Sequence, residues 1–243
     1  MRAASAVAAA PPRVHANDRA FYTGIAVAAA LTVLVGFSRT YFLRPYFETA
    51  PLDSAFHVHG LVFSAWIALF VAQTSLVAVR RTDVHRKLGW AGACLAALMV
   101  VVALNAAAHG AHRDIAAGYE TESLRFFTTP VLSMAMFASL IALAVLARGR
   151  PETHKRLMLL ATLSLLDAAV ARWPIPGIGD APLVYYAITD AFIAAAILYD
   201  FASRRSVSPV YVWGGVAIVA EQWARDALGA TAVWQSLAAK ILE

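Results

Sequence analysis

The sequence predicts an all-α polytopic membrane protein, a bundle of about seven transmembrane helices. Hydrophobic residues make up 60% of its 243 residues and charged residues only 14%, which is too apolar for a soluble domain of this size. The apolar residues come in near-continuous runs, not in the stripes of helical period that cover a soluble core. Short charged or Pro/Gly-containing segments separate the runs, and we interpret each run as one membrane span.

The seven runs define a transmembrane domain over residues 21–229. A helix needs about 20 residues to cross roughly 30 Å of hydrocarbon. Four runs meet this length without interruption: Phe21–Phe42, Phe56–Val79, Lys87–Ala108 and Phe126–Ala147. Three more contain an acidic residue: His154–Trp173, Pro182–Phe201 and Pro209–Gly229. Residues 1–20 are predicted to be a disordered cytoplasmic tail and residues 230–243 an amphipathic helix on the outer interface.

The distribution of Lys and Arg predicts the orientation, because positive residues are retained on the cytoplasmic side. They concentrate in the tail and in the second, fourth and sixth connections: Arg2, Arg13, Arg19; Arg80, Arg81, Arg86, Lys87; Arg148, Arg150, Lys155, Arg156; Arg204, Arg205. The amino terminus is therefore predicted to be cytoplasmic and the carboxyl terminus periplasmic, in a multi-pass protein of the bacterial inner membrane. This placement accounts for the net charge of +5, so nucleic acid is not a predicted partner.

Four histidines fall at the predicted outer face, where His57 and His59 open the second helix and His109 and His112 close the third. Imidazole is a ligand for haem iron, copper and zinc, and antiparallel helices can bring such side chains together. We predict a transition-metal site (Cu, Zn or Fe) from these histidines, with at most three pointing inward. The candidate carboxylate ligands are Glu48, Asp53, Glu120 and Glu122. The alternative is that these histidines only bond headgroups and loop backbone.

His85 and His154 begin the third and fifth predicted helices at the inner face. Residues 84–88 and 153–157 share a pattern, which indicates either a duplicated helical hairpin or the common needs of cytoplasmic helix starts. Two histidines from two helices are what a bis-histidine haem b requires. We predict that His85 and His154 bind such a cofactor; the alternative is that they cap their helices and contact lipid phosphate.

Ionisable residues inside the predicted spans are costly in lipid and are therefore candidates for function. They are Asp167, Arg172, Asp190, Glu221 and Arg225. Glu221 and Arg225, four residues apart, are predicted to pair on one helix face, and Asp167 is predicted to pair with Arg172. Asp190 has no cation nearby in the sequence. It is the candidate catalytic residue, for contact with a proton or a substrate.

Three segments carry a resemblance that covers nearly the whole chain. They are His57-Val58-His59-Gly60 with Phe63-Ser64-Ala65-Trp66, His85-Arg86-Lys87-Leu88-Gly89-Trp90, and His154-Lys155-Arg156-Leu157-Met158. They resemble a family of uncharacterised bacterial seven-helix membrane proteins, which implies a helical bundle and no established activity. Members often carry His-Pro before the last helix, where this chain has Ser208-Pro209, and this departure weakens the case for an essential inner-face histidine cluster.

A looser likeness is to the di-haem b-type membrane cytochromes, which need two histidines per haem from facing helices. The fourth helix here supplies no histidine at the outer side.

The first predicted function is a redox or electron-transfer protein with a histidine-lined metal or haem site near the outer face. The second is a non-catalytic membrane assembly or transport subunit, in which the histidines anchor loops.

The third predicted function is a zinc-dependent intramembrane hydrolase, similar to the adiponectin-receptor and ceramidase group. That group takes histidines from its last helix, whereas no histidine follows His154. Di-iron membrane hydroxylases need more histidines, in paired boxes, than the seven available. The predicted partners are the lipid bilayer and either other membrane subunits or a second copy of the chain, and the sequence does not decide whether the protein is an enzyme.

Overall fold

A computed structural model describes residues 17–47 and 51–243, so the predicted tail over residues 1–16 and the candidate ligand Glu48 lie outside the described residues. The described residues form helices and no strand. The longer helices are α1 (Asp18–Gly36), α2 (Ser54–Ala78), α3 (Thr82–Ala116), α5 (Thr128–Leu146), α6 (Pro151–Leu163), α8 (Pro182–Arg204) and α9 (Pro209–Gly229). The shorter ones are α4 (Glu120–Phe126), α7 (Asp167–Val170) and α10 (Ala232–Leu242). Single turns occupy Ser38–Phe42, Arg44–Tyr46, Ala147–Gly149 and Ile178–Asp180.

Five of the described helical segments are long and apolar enough to cross a membrane. They are Asp18–Gly36, Ser54–Ala78, Thr82–Ala116, Glu120–Gly149 and Pro182–Arg204. Only 11% to 33% of their most apolar stretches is buried inside the protein, so most of this apolar surface faces outward. A surface of this kind is stable against hydrocarbon and not against water. The five segments indicate a multi-pass membrane protein in contact with the lipid bilayer.

Polar contacts show which helix ends meet. At the proximal end of the bundle, Asp18 at the start of α1 contacts both Lys155 at the start of α6 and Arg204 at the end of α8. At the distal end, His109 near the end of α3 lies 3.1 Å from Asp53, which precedes α2. The starts of α1, α3 and α6 therefore share one end of the bundle with the ends of α2 and α8, and α10 lies at the distal end against α3, α4 and α9.

Small residues let the helices pack closely. The alanines Ala26, Ala29, Ala96, Ala144, Ala161 and Ala196 are all almost completely buried. Close backbone approach of this kind stabilises helix association in lipid, where burial of apolar surface gives little driving force. The tightest approach joins α1 and α7, since a Cβ added at Gly36 would collide with the carbonyl oxygen of Ala169. Only glycine fits at this crossing.

The helix ends depart from the predicted spans for identifiable reasons. The first helix begins at Asp18, not at Phe21, because its first-turn acid is paired with cations at the proximal end, and so residues 18–20 are not a disordered tail. It ends at Gly36, where a π turn replaces the predicted continuation to Phe42. The third helix extends to Ala116 because its polar last turns pack on α4 and α10. The prediction of one continuous helix over His154–Trp173 is wrong, because the helix is interrupted between α6 and α7.

Candidate functional site

The α-helical hydrogen-bonding pattern is interrupted between α6 and α7, inside the bundle. Leu165 and Leu166 donate their backbone N–H groups to carbonyl oxygens three residues back, at 3.3 and 3.0 Å, and not to those four residues back. The Ser164 hydroxyl donates to the Ala161 carbonyl at 3.0 Å and so competes for the helical backbone. The turn is tightened without Pro or Gly. As a result, Asp167 becomes the first residue of a new short helix while remaining only 5% exposed.

Asp167 joins a group of polar side chains from α7, α8 and α9 that we call the acid cluster: Asp167, Asp190, Glu221, Gln222 and Arg225. The Glu221 carboxylate accepts hydrogen bonds from Nε and Nη2 of Arg225, each at 2.6 Å, and Nη1 of Arg225 donates to Asp167 at 2.8 Å. Gln222 Nε2 donates to Asp190 Oδ1 at 3.1 Å and lies 3.5 Å from Asp167 Oδ1. Apart from the partly exposed Asp190, the members are buried.

The charges of the acid cluster do not balance. Three carboxylates face one guanidinium, whose other face lies 5.6 Å from the ring centroid of Tyr186. Asp190 has no cation partner among the described residues; its contact is the neutral Gln222 amide. Buried charge is costly unless it is paired. Full ionisation would leave the cluster with a net charge of −2 (three acids against one cation), which favours the uptake of a proton.

A second polar group lies at the proximal end, and we call it the proximal network: Asp18, Glu152, Lys155, Arg156, Asp200 and Arg204. Lys155 bridges Asp18 and Glu152 at 2.7 and 2.6 Å. Arg156 binds Asp200 at 2.5 Å and Glu152 at 2.9 Å, and Arg204 binds Asp18 and Asp200 at 2.6 and 3.0 Å. Three carboxylates are matched by three cations here. This closed network ties α1, α6 and α8 together, which is a structural role.

A layer of apolar side chains separates the acid cluster from the proximal network. Its members are Leu159, Leu160 and Leu163 of α6, Ile193 and Ala196 of α8, and Ile218 of α9, none more than 4% exposed. Along the continuous helix α8, Asp190 and Asp200 are ten residues apart, which is about 15 Å at 1.5 Å per residue. The layer lies between the two polar groups along α6 and α8.

The four histidines of the predicted outer metal site are separated at the distal end. His109 Nε2 lies 3.1 Å from Asp53 Oδ2, so the predicted partnership with this carboxylate is present as a pair. His112 Nε2 lies 2.6 Å from the Leu242 carbonyl oxygen, which ties α3 to α10.

His57 and His59 lie elsewhere on α2. The His59 ring stacks on Phe63 at 4.1 Å between centroids, and its Nδ1 is buried without a hydrogen-bond partner. His57 is exposed, and its carbonyl oxygen accepts a hydrogen bond from the Tyr41 hydroxyl. Within residues 17–47 and 51–243, no three His, Cys, Asp or Glu side chains come close enough to hold a metal ion together. The metal site remains a prediction from the sequence.

The two inner-face histidines are brought together. The ring centroids of His85 and His154 lie 6.3 Å apart with their planes at 81°. His154 Nδ1 lies 2.8 Å from the Ala144 carbonyl oxygen, which can only accept, so Nδ1 carries a proton, and in the neutral ring Nε2 holds the lone pair. With its nitrogen toward His85, the Gln73 amide donates to His85 Nδ1 at 2.7 Å. His85 then carries its proton on Nε2, and the two rings offer one Nε2 donor and one Nε2 acceptor.

The predicted ion pairs are confirmed only in part. Glu221 and Arg225 do pair along α9, but the predicted pair of Asp167 with Arg172 is wrong, because the break before α7 turns Asp167 toward Arg225. Arg172 donates to the Ala168 carbonyl at 2.7 Å and lies over the Phe37 ring. Asp200 was missed, although it is an acid inside the predicted span Pro182–Phe201 and stands four residues before Arg204, the spacing of a helical ion pair.

No family model, no curated protein and no solved structure matches this chain.

Proposed function

We propose that this protein is a membrane transport protein whose acid cluster binds a proton during its cycle. The observation that carries the proposal is the excess of three buried or half-buried carboxylates over one arginine, beside a break in the α6–α7 helix. Transporters commonly bind their ions where a helix is discontinuous near the middle of the bilayer. Ionisable groups at such depth are costly and are retained for function.

The proposal includes the topology. We propose seven crossings, in which α6 with α7 and α9 add two to the five long apolar segments. These two are less apolar because they carry the acid cluster and the proximal network. The amino terminus is assigned to the cytoplasm and the carboxyl terminus to the periplasm, since the exposed Arg and Lys residues favour the proximal end as the inner face.

The two polar groups have different roles in this proposal. The proximal network contains equal numbers of carboxylates and cations, and its ion pairs hold the helix ends together. The acid cluster is short of positive charge, so it is the one that gains a cation. Asp190 is the entry point, since its side-chain hydrogen bond among the described residues is to the neutral Gln222 amide. The apolar layer between them keeps the cluster closed from the proximal end in this conformation.

Cysteine accessibility tests whether the cluster opens to water, as a carrier requires and a static buried ion pair does not. In a Cys94→Ala background, Asp190→Cys is treated in proteoliposomes with a membrane-impermeant, positively charged methanethiosulfonate. We expect modification severalfold faster than that of Ile197→Cys, which lies two turns further along α8 and is partly exposed like Asp190. Asp114→Cys, at the exposed end of α3, is the positive control.

Equal inertness of Asp190→Cys and Ile197→Cys in the folded protein, with both reacting after denaturation in SDS, would contradict the transport proposal. The acid cluster would then be a structural ion pair.

The second candidate function is redox or metal chemistry at His85 and His154, with haem b or a transition metal as the cofactor. It is favoured by the hydrogen bond from His154 Nδ1 to Ala144, since metal-binding histidines usually donate their other ring N–H to a carbonyl or carboxylate. Two imidazoles on one metal ion at about 2.0–2.1 Å each would have ring centres roughly 6 Å apart. Ligation through both Nε2 atoms requires His85 to change tautomer and the Gln73 amide to turn.

A Soret band or stoichiometric metal in the purified protein, lost in His85→Ala and His154→Ala, would support the redox candidate. Colourless, metal-free protein that cannot be reconstituted with haem, copper, zinc or iron would rule it out.

A further inference from the structure

A long groove runs along the outside of the bundle between α5, α6 and α9. Its volume is about 1150 Å³. Its lining is apolar over most of its length, with Leu143, Leu146 and Trp213 among its most exposed members. Its proximal mouth is polar, formed by Arg150 and Thr153.

The length of the groove matches a lipid chain. On α5 its lining extends from Leu132 to Leu146, fifteen residues, or about 21 Å at the helical rise. One leaflet of a bilayer contributes about half of the roughly 30 Å hydrocarbon core. An acyl chain that enters at the proximal mouth is therefore accommodated over its whole length.

The proximal mouth of the groove is positively charged and accessible to an anion. Lys155, Arg156 and Arg204 nearby are each bound to carboxylates. Arg150 is exposed, and in the described parts of the chain no carboxylate pairs with its guanidinium. Arg148, two residues earlier, lies over the Trp90 ring instead. Within residues 17–47 and 51–243, the mouth thus presents a cation that has no carboxylate partner.

At the far end of the groove, Glu221 is the one carboxylate among the described lining residues, and both of its oxygens are held by Arg225. A polar group at one end and an apolar channel behind it fit an amphipathic molecule lying parallel to the helices. Trp213 at the groove wall is 72% exposed, a residue type that favours the membrane interface.

We infer that this groove binds a phospholipid with an anionic headgroup from the leaflet at the proximal end, with its phosphate at Arg150 and one acyl chain against α5 and α9. Basic residues at the ends of membrane helices bind anionic headgroups in this manner. The inference does not depend on transport by the acid cluster.

Native mass spectrometry of the full chain, released from nanodiscs of mixed phosphatidylglycerol and phosphatidylcholine, tests the inference. The wild type should retain phosphatidylglycerol in preference to phosphatidylcholine. Arg150→Gln should lose this preference, while Arg86→Gln, an exposed cation at the start of α3 outside the groove, should keep it. Ala135→Phe, which fills the groove, should lower retention of both lipids severalfold relative to Ala142→Phe, an exposed alanine of α5 outside it.

Equal retention of the two lipids by the wild type, or the same loss in Arg86→Gln as in Arg150→Gln, would overturn the inference. A dimer that Ala135→Phe dissociates without changing lipid retention would assign the groove to a second copy of the chain and overturn it as well.

Discussion

Arg225 is the residue on which the buried charges of α7 and α9 depend. Its guanidinium is 3% exposed and is hydrogen-bonded to Glu221 and Asp167, with the face of Tyr186 beside it. Removing one partner of a buried ion pair is strongly destabilising, because it leaves the other charge unpaired in a medium of low dielectric constant. The contacts of Arg225 therefore stabilise the acid cluster, while the cluster as a whole still holds more carboxylates than cations.

Arg225→Gln should lower the free energy of unfolding by about 3–5 kcal/mol, because Glu221 and Asp167 are then buried without a cation. Thermal unfolding followed by size-exclusion chromatography in detergent measures the effect. Arg172→Gln is the matched control, since Arg172 contacts a carbonyl oxygen and an aromatic ring and should cost about 1 kcal/mol at most. Equal losses for the two variants would mean that the charges of the cluster do not determine its stability.

The histidine tautomers give a second prediction at this scale. Nitrogen-15 NMR of histidine-labelled protein in nanodiscs should find His154 with its proton on Nδ1 and His85 with its proton on Nε2, because of their contacts with Ala144 and Gln73. Gln73→Leu should disturb the His85 signal and leave His154 unchanged. Finding both rings protonated on Nδ1 in the wild type would contradict this prediction and would favour metal binding through the two Nε2 atoms.

At the scale of residues, the sequence predicts the ion pairs whose two members lie one helical turn apart. Glu221 and Arg225 are one helical turn apart, and their pairing is confirmed. The pairing of Asp167 was wrong because its partner stands on α9, more than fifty residues away, and no local pattern records that contact. The acids and cations of the proximal network were partly visible, since Glu152–Arg156 and Asp200–Arg204 have the same spacing.

At the scale of elements, the crossing of α1 and α7 is the tightest contact. Gly36→Ala should lower the free energy of unfolding by roughly 1–3 kcal/mol, because the added methyl group collides with the Ala169 carbonyl and separates the helices. Gly24→Ala is the control on the same helix, since no atom lies within 4 Å of the added Cβ. That variant should be neutral or slightly more stable through helix propensity. Indistinguishable melting temperatures for the two variants would refute the close packing of α1 on α7.

The helices themselves could largely be predicted from apolar runs, but the break between α6 and α7 could not. Breaks are expected at Pro or Gly, and the segment Ser164-Leu165-Leu166 has neither. Its cause is a serine hydroxyl that bonds to a carbonyl three residues back, and serine does this in some helices and not in others. The extension of α3 beyond its predicted end could likewise not be predicted, because its polar last turns are stabilised by contacts with α4 and α10.

At the scale of the whole molecule, labelling tests the number of crossings. In a Cys94→Ala background, single cysteines at Thr82 and Arg205 should react with an impermeant maleimide from one side of the membrane, and those at Tyr119 and Thr231 from the other. This alternation follows if each segment between them crosses once. Right-side-out and inverted vesicles separate the two sides. Labelling of Arg205→Cys and Thr231→Cys from the same side would show that α9 does not cross.

The architecture as a bundle of membrane helices follows from composition and run length alone, because lipid demands both. The meeting of side chains across helices does not. The four outer histidines share a layer in the sequence, yet His112 is held by the carbonyl of Leu242 and His59 by stacking on Phe63. His85 and His154 were predicted as a pair, and their rings are indeed adjacent.

The central claim, that the acid cluster binds a proton, is tested most directly by charge movement. Proteoliposomes on a solid-supported membrane are exposed to a rapid pH step, and the displaced charge is recorded without any substrate. The wild type should displace charge well above protein-free liposomes, and Asp190→Asn and Asp167→Asn should abolish most of it, while Asp114→Asn at the exposed distal surface should not. Charge movement that is absent in the wild type, or unchanged in Asp190→Asn and Asp167→Asn, would contradict the claim.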